Sequence, residues 1–74
     1  MANTDFPWLV KALRDKRGLT QEQLAREIGV SFSSVSVWEN GHRRPQPYLA
    51  NRLLEMAAEA GLDRKGYEDA ADKA

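Results

Sequence analysis

Apolar residues in this chain recur at spacings of three and four, and nowhere alternate with polar ones for long enough to make a strand. That period belongs to helices with one buried face. Phe6, Val10 and Leu13 form the stripe of a first helix, capped by Thr4 or Asp5, with Pro7 in the first turn and an end before Gly18. Proline is tolerated there because the first-turn N–H groups have no partner inside the helix. Thr20 followed by Gln23 is a capping box, in which hydroxyl and amide satisfy two orphan backbone donors reciprocally, so a second helix begins there and buries Leu24, Ala25 and Ile28. Gly29 ends it, and Ser31 caps a third helix from Phe32 to about Glu39 that buries Val35 and Trp38 and stops at Asn40-Gly41. Pro45 and Pro47 break a short basic loop, after which Leu49, Leu53, Met56 or Ala57, and Ala60 mark a fourth helix closed by Gly61. The expected fold is all-α, a compact four- to five-helix bundle over residues 1–61. Residues 62–74 are expected as a short helix from Asp63, interrupted by Gly66, or a flexible charged tail.

Composition narrows the function. Seventy-four residues make one domain with one small core. With 30% charged residues and a mean hydropathy of -0.63, no membrane span is expected. There is no cysteine and one histidine, so no disulfide, thiolate zinc site, metal cluster or Cys–His dyad can form, and no cofactor or metal is expected. No acidic pair is flanked by a nucleophile or a Gly-rich phosphate loop, which argues against an enzyme. The amino terminus lacks a basic segment followed by an apolar run, so a cytoplasmic location is expected. The balance of 11 cations and 11 anions hides an asymmetry. Residues 1–52 hold eight cations and five anions, residues 53–74 three and six, so the larger part is net +3 and the remainder net −3. The basic part suits a polyanionic partner.

Two short helices joined by a tight glycine-containing turn make a helix-turn-helix. Ala25 is small where the helices cross, Gly29 makes the turn, and Val35 and Trp38 pack the second helix onto Leu24 and Ile28 of the first. The blocks Gly18-Leu19-Thr20-Gln21-Glu22-Gln23-Leu24-Ala25, Gly29-Val30-Ser31 and Trp38-Glu39-Asn40-Gly41 resemble the helix-turn-helix family of Cro and the lambdoid phage repressors over roughly residues 10–54. The resemblance implies a five-helix, lambda-repressor-like domain that binds double-stranded DNA, usually as a homodimer, with the helix after the turn reading the major groove. It also implies a phosphate contact at Gln21, a clamp on further phosphates by the residues after the recognition helix, and an ion pair between Arg14 and Glu39. A dimer contact would fall after the fourth helix, where Leu62 and Tyr67 are candidates.

Read residue by residue, the face of the third helix opposite Val35 and Trp38 carries Ser33, Ser36, Val37 and Asn40, with Phe32 at its edge. Ser33 and Ser36 can bond base edges or phosphates, and Val37 can meet a thymine methyl. Phe32 and Val37 either contact bases or complete the core. None of these side chains offers the bidentate pairing of Arg with guanine, so DNA shape is expected to contribute to specificity. Ser31, Asn40, His42, Arg43 and Arg44 are candidates for phosphate contacts, with Lys16 and Arg17 as peripheral ones. The leading expectation is a sequence-specific transcriptional regulator of the phage-repressor type. An antitoxin or controller-type interaction module, and the DNA-targeting domain of a larger enzyme, remain open.

Overall fold

The computed structural model describes residues 4–62. The fold is all-helical: α1 spans Phe6–Arg17, α2 Gln21–Ile28, α3 Phe32–Glu39 and α4 Pro47–Glu59, with no extended strand among the described residues. Each helix start has a local cause. The Asp5 carboxylate accepts the Trp8 N–H at 3.1 Å. Thr20 and Gln23 complete the capping box in both directions, at 3.1 and 2.8 Å. The Ser31 hydroxyl accepts the Ser34 N–H at 3.4 Å, and α4 begins on Pro47 without a side-chain cap. These bonds satisfy donors that a helix cannot satisfy internally.

The turn between α2 and α3 requires glycine. Gly29 has φ +88°, and this left-handed conformation lets the N–H groups of Gly29 and Val30 both reach the Ala25 carbonyl, at 2.8 and 2.9 Å. A side chain there would be strained. Two residues later α3 sets off in a new direction, packed against both α1 and α2, while α4 closes over α1.

Phe6, Leu9, Val10, Leu13, Leu24, Ala25, Val35, Trp38, Leu49, Leu53, Met56 and Ala57 are buried together as one core. Leu9 belongs to it although the three-residue stripe of α1 left it out, because α1 is covered on two sides and its apolar face is correspondingly wide. Met56 and Ala57 are both buried, where one or the other was expected, and Ile28 is half-buried at the margin. Leu62 also packs half-buried against this core, its N–H bonded to the Ala57 carbonyl at 3.0 Å. That placement leaves less of it for a contact between two copies than its position after the fourth helix suggested. Tyr67, the helix from Asp63, its interruption at Gly66 and the charged tail lie outside the described residues.

Leu24 is fully buried and Trp38 is 4% exposed. Leu24→Ala and Trp38→Ala should each remove roughly 2–5 kcal/mol, a large part of the stability of a domain this small. Thermal melting followed by circular dichroism should show a midpoint lowered by at least about 10 °C, or no cooperative transition. Parental midpoints would contradict this core.

Candidate nucleic-acid interface

Helix α3 buries Val35 and Trp38 along one side and turns its other side outward. Ser33 and Asn40 are exposed there, Ser36 and Val37 half-buried. Phe32 is 51% exposed, so it does not complete the core, and Val37 lies outside the core cluster. The Asn40 amide approaches the Ser36 hydroxyl at 3.5 Å. The outward face thus combines hydroxyl and amide groups with two apolar side chains that water does not favour, a chemistry suited to base edges and thymine methyls.

Two hollows flank this ridge. One is formed by Arg14, Leu19, Thr20, Gln21, Glu22 and Phe32, so the amino-terminal end of α2 borders the Phe32 side. The other, of about 710 Å³, lies between α3, the loop after it and the start of α4. Ser31, Ser33, Val37, His42, Arg43 and Arg44 line it together with Gln46 and Tyr48, and no carboxylate does. A surface concavity with cationic rims and no acidic lining raises the local concentration of anions.

A hydrogen-bonded network fixes the ridge to its surroundings. Arg14 donates from Nε to Glu39 Oε2 at 2.5 Å and from Nη2 to Glu39 Oε1 at 3.1 Å, and a third bond reaches the Leu19 carbonyl at 3.1 Å. Glu39 Oε1 also accepts from Gln21 Nε2 at 3.1 Å. Glu39 is buried, with a side chain 4% exposed against 22% for Arg14. The hydrogen bond to Glu39 raises the Arg14 pKa above its ordinary value, burial opposes the shift, and the charges of Glu39 and Asp15 add to it. Gln21 is therefore half-buried and held by one amide proton while it borders the flank of α3.

The remaining candidates divide. Ser31 is exposed at the turn, its hydroxyl within 3.1–3.2 Å of those of Ser33 and Ser34. The side chains of Arg43 and His42 are exposed and make no hydrogen bond or ion pair among the described residues, while the His42 N–H donates to the Val37 carbonyl at 3.1 Å. Arg44 sits over the Phe6 ring, 5.4 Å from its centroid. Lys16 and Arg17 line neither of the two hollows beside α3. Arg17 is paired with Glu27 through two bonds of 3.1 and 2.9 Å, and Lys16 borders a hollow with Trp8, Lys11 and Leu62. Their place at the end of α1 suggested peripheral phosphate contacts, and for Arg17 the pairing with Glu27 of α2 competes with that role. Tyr48, 67% exposed and lining the cationic hollow, escaped the sequence reading. An aromatic in the first turn of a helix directly after Arg-Arg-Pro was the available signal.

A helix-turn-helix family model matches residues 10–56, and the chain belongs to that family. A transcriptional regulator of the helix-turn-helix type from Methanothermobacter thermautotrophicus, itself uncharacterised, is 34% identical over 61 residues, 82% of this chain and 81% of its own length. The propionyl-CoA carboxylase regulator of Cereibacter sphaeroides is 39% identical over 54 residues, which cover 73% of this chain and 11% of that protein. No solved structure matches the chain. The family is one of DNA-binding regulators, and among the described residues no helix is long and apolar enough to cross a membrane.

Arg14→Ala would strand the Glu39 carboxylate in the interior and should destabilise the fold by about 3 kcal/mol. A group whose folded pKa is raised contributes stability that is complete below its unfolded pKa and lost only as pH rises through the folded one. For arginine that window lies in strongly alkaline solution, well beyond pH 9. Thermal melts should therefore show the same loss for Arg14→Ala at pH 7 and pH 9. An unchanged midpoint would show the pair to be dispensable.

Proposed function

We propose that this protein is a sequence-specific, double-stranded-DNA-binding transcriptional regulator of the phage-repressor type, acting in the cytoplasm, with residues 1–61 as its DNA-binding domain. The observation that carries the reading is the outward face of α3, polar with two apolar side chains, set between the start of α2 and a carboxylate-free hollow lined by His42, Arg43 and Arg44. In the major groove Phe32, Ser33, Ser36 and Val37 would meet base edges and methyl groups, while Gln21 and Ser31 on one side and Asn40, His42, Arg43 and Arg44 on the other would meet phosphates. The start of α2 supports the arrangement, since the capping box satisfies the Thr20 and Gln23 N–H groups and leaves those of Gln21 and Glu22 as donors at a positive dipole end.

One α3 carrying serines and a valine makes few discriminating contacts. Two copies on a pseudo-palindromic site, with half-site centres about 10 base pairs apart, would double them on one side of the duplex. The Cereibacter relative, in which a matching segment is a small part of a longer regulator, favours a second reading, that of a DNA-targeting module within a larger chain.

Binding to duplex DNA should weaken steeply with salt, by roughly 0.9 in log–log slope for each phosphate neutralised, and Arg43→Ala should lower that slope by about one. Fluorescence anisotropy across a salt series measures this, and salt-independent affinity would contradict it. Selection from a random-sequence duplex library should return sites with two related half-sites. Val37→Ala and Ser33→Ala should change the preferred bases, each base contact being worth about 1–3 kcal/mol of discrimination. Identical sites for parent and variants would show that α3 is not the reader.

A further inference from the structure

Four arginines among the described residues are held by a partner, and one of them differs from the rest. Arg14 and Arg17 donate hydrogen bonds to the carboxylates of Glu39 and Glu27, and Arg52 lies 3.9 Å from that of Glu55. Arg44 faces an aromatic ring instead, its guanidinium carbon 5.4 Å from the centroid of Phe6, and makes no hydrogen bond or ion pair among the described residues. Phe6 is itself 4% exposed at the start of α1, so the platform is rigid. A guanidinium over an aromatic ring is attracted by the ring quadrupole, a contact that consumes none of its N–H donors.

The backbone supports the same geometry. Arg44 precedes Pro45, which confines it to extended conformations, and Pro45 is buried. The loop also rests on α1 at Gly41, where an added Cβ would lie 3.6 Å from Pro7 Cγ. Arg44 thus reaches the rim of the carboxylate-free hollow with backbone and side chain both constrained. Arg43, exposed and unpartnered beside it, has neither constraint.

Building on the DNA-binding reading, we propose that Phe6 is a positioning residue for phosphate recognition. Its ring holds the Arg44 guanidinium in place with the forked N–H edge free for a backbone phosphate, so Arg44 acts as a pre-ordered bidentate clamp and Arg43 as a mobile charge. A side chain ordered before binding loses less entropy on binding, and lysine, a weaker partner for the ring, cannot form the fork.

The test is a double-mutant cycle on the full chain, with a labelled mixed-sequence duplex as probe and anisotropy as readout. Arg44→Lys keeps the charge and should weaken binding about three- to tenfold without changing the salt slope, whereas Arg43→Lys should cost less than about twofold. In the Phe6→Leu background, Arg44→Lys should cost less than about twofold. In the free protein, the Arg44 Nε–H proton resonance should show a ring-current shift that Phe6→Leu abolishes. Equal costs for the two lysine variants, an undiminished Arg44→Lys cost beside Phe6→Leu, or an unshifted Arg44 resonance would each overturn the proposal while leaving DNA binding intact. Should Phe6→Leu fail to fold, the comparison of the two lysine variants and the parental resonance decide it. A parent protein that does not bind the duplex would bring down this proposal and the DNA reading together.

Discussion

The carboxylate of Glu39 is a buried charge, and three helices meet to satisfy it. Arg14 comes from α1, Gln21 from the first residue of α2, and Glu39 from the last residue of α3. A buried ion without partners is strongly disfavoured, so the network forms only when all three elements hold their native positions. The end of α3 is thereby fixed relative to the start of α2. These are the two places whose separation decides whether one surface can meet base edges and the flanking backbone at once.

Helix α3 could not supply this rigidity alone. Its eight residues include Ser33, Ser34, Ser36 and two valines, all modest helix formers, and isolated helices shorter than about 12 residues are marginal in water. Its order comes from Val35 and Trp38 in the core, from the Ser31 cap and from Glu39. The outward side chains are thus released from structural duty, which is why a phenylalanine can stand half-exposed among serines. On the opposite flank the same economy of short connections applies: the loop after α3 is tied to α1 through Gly41 and the Arg44–Phe6 contact.

Local signals in the sequence proved the more legible. The capping box at Thr20 and Gln23, the cap at Ser31 and the glycine at 29 each act within three or four residues, and each stands in the structure where its chemistry placed it. The helix-turn-helix class and the all-α fold followed from them. What escaped depends on residues far apart in the chain. The pairing of Arg17 with Glu27 joins positions 10 apart, and the bond from Gln21 to Glu39 joins positions 18 apart. The first withdraws a cation that a charge count assigns to the basic surface. Leu9 was missed because a narrow stripe was assumed for a helix covered on two sides, and Tyr48 because periodicity identifies the buried side of α4 and says nothing about what its first turn presents.

On the reading proposed above, the outward face of α3 and its two flanks form a single nucleic-acid surface. Titrating isotopically labelled protein with duplex DNA and following the backbone amide resonances tests it most directly. Shifts should concentrate at Gln21, at residues 31–37 and at residues 40–44, with Arg17, Glu27 and the exposed side of α4 near Glu55 and Glu59 unmoved. Shifts centred on that opposite side, with α3 silent, would contradict it.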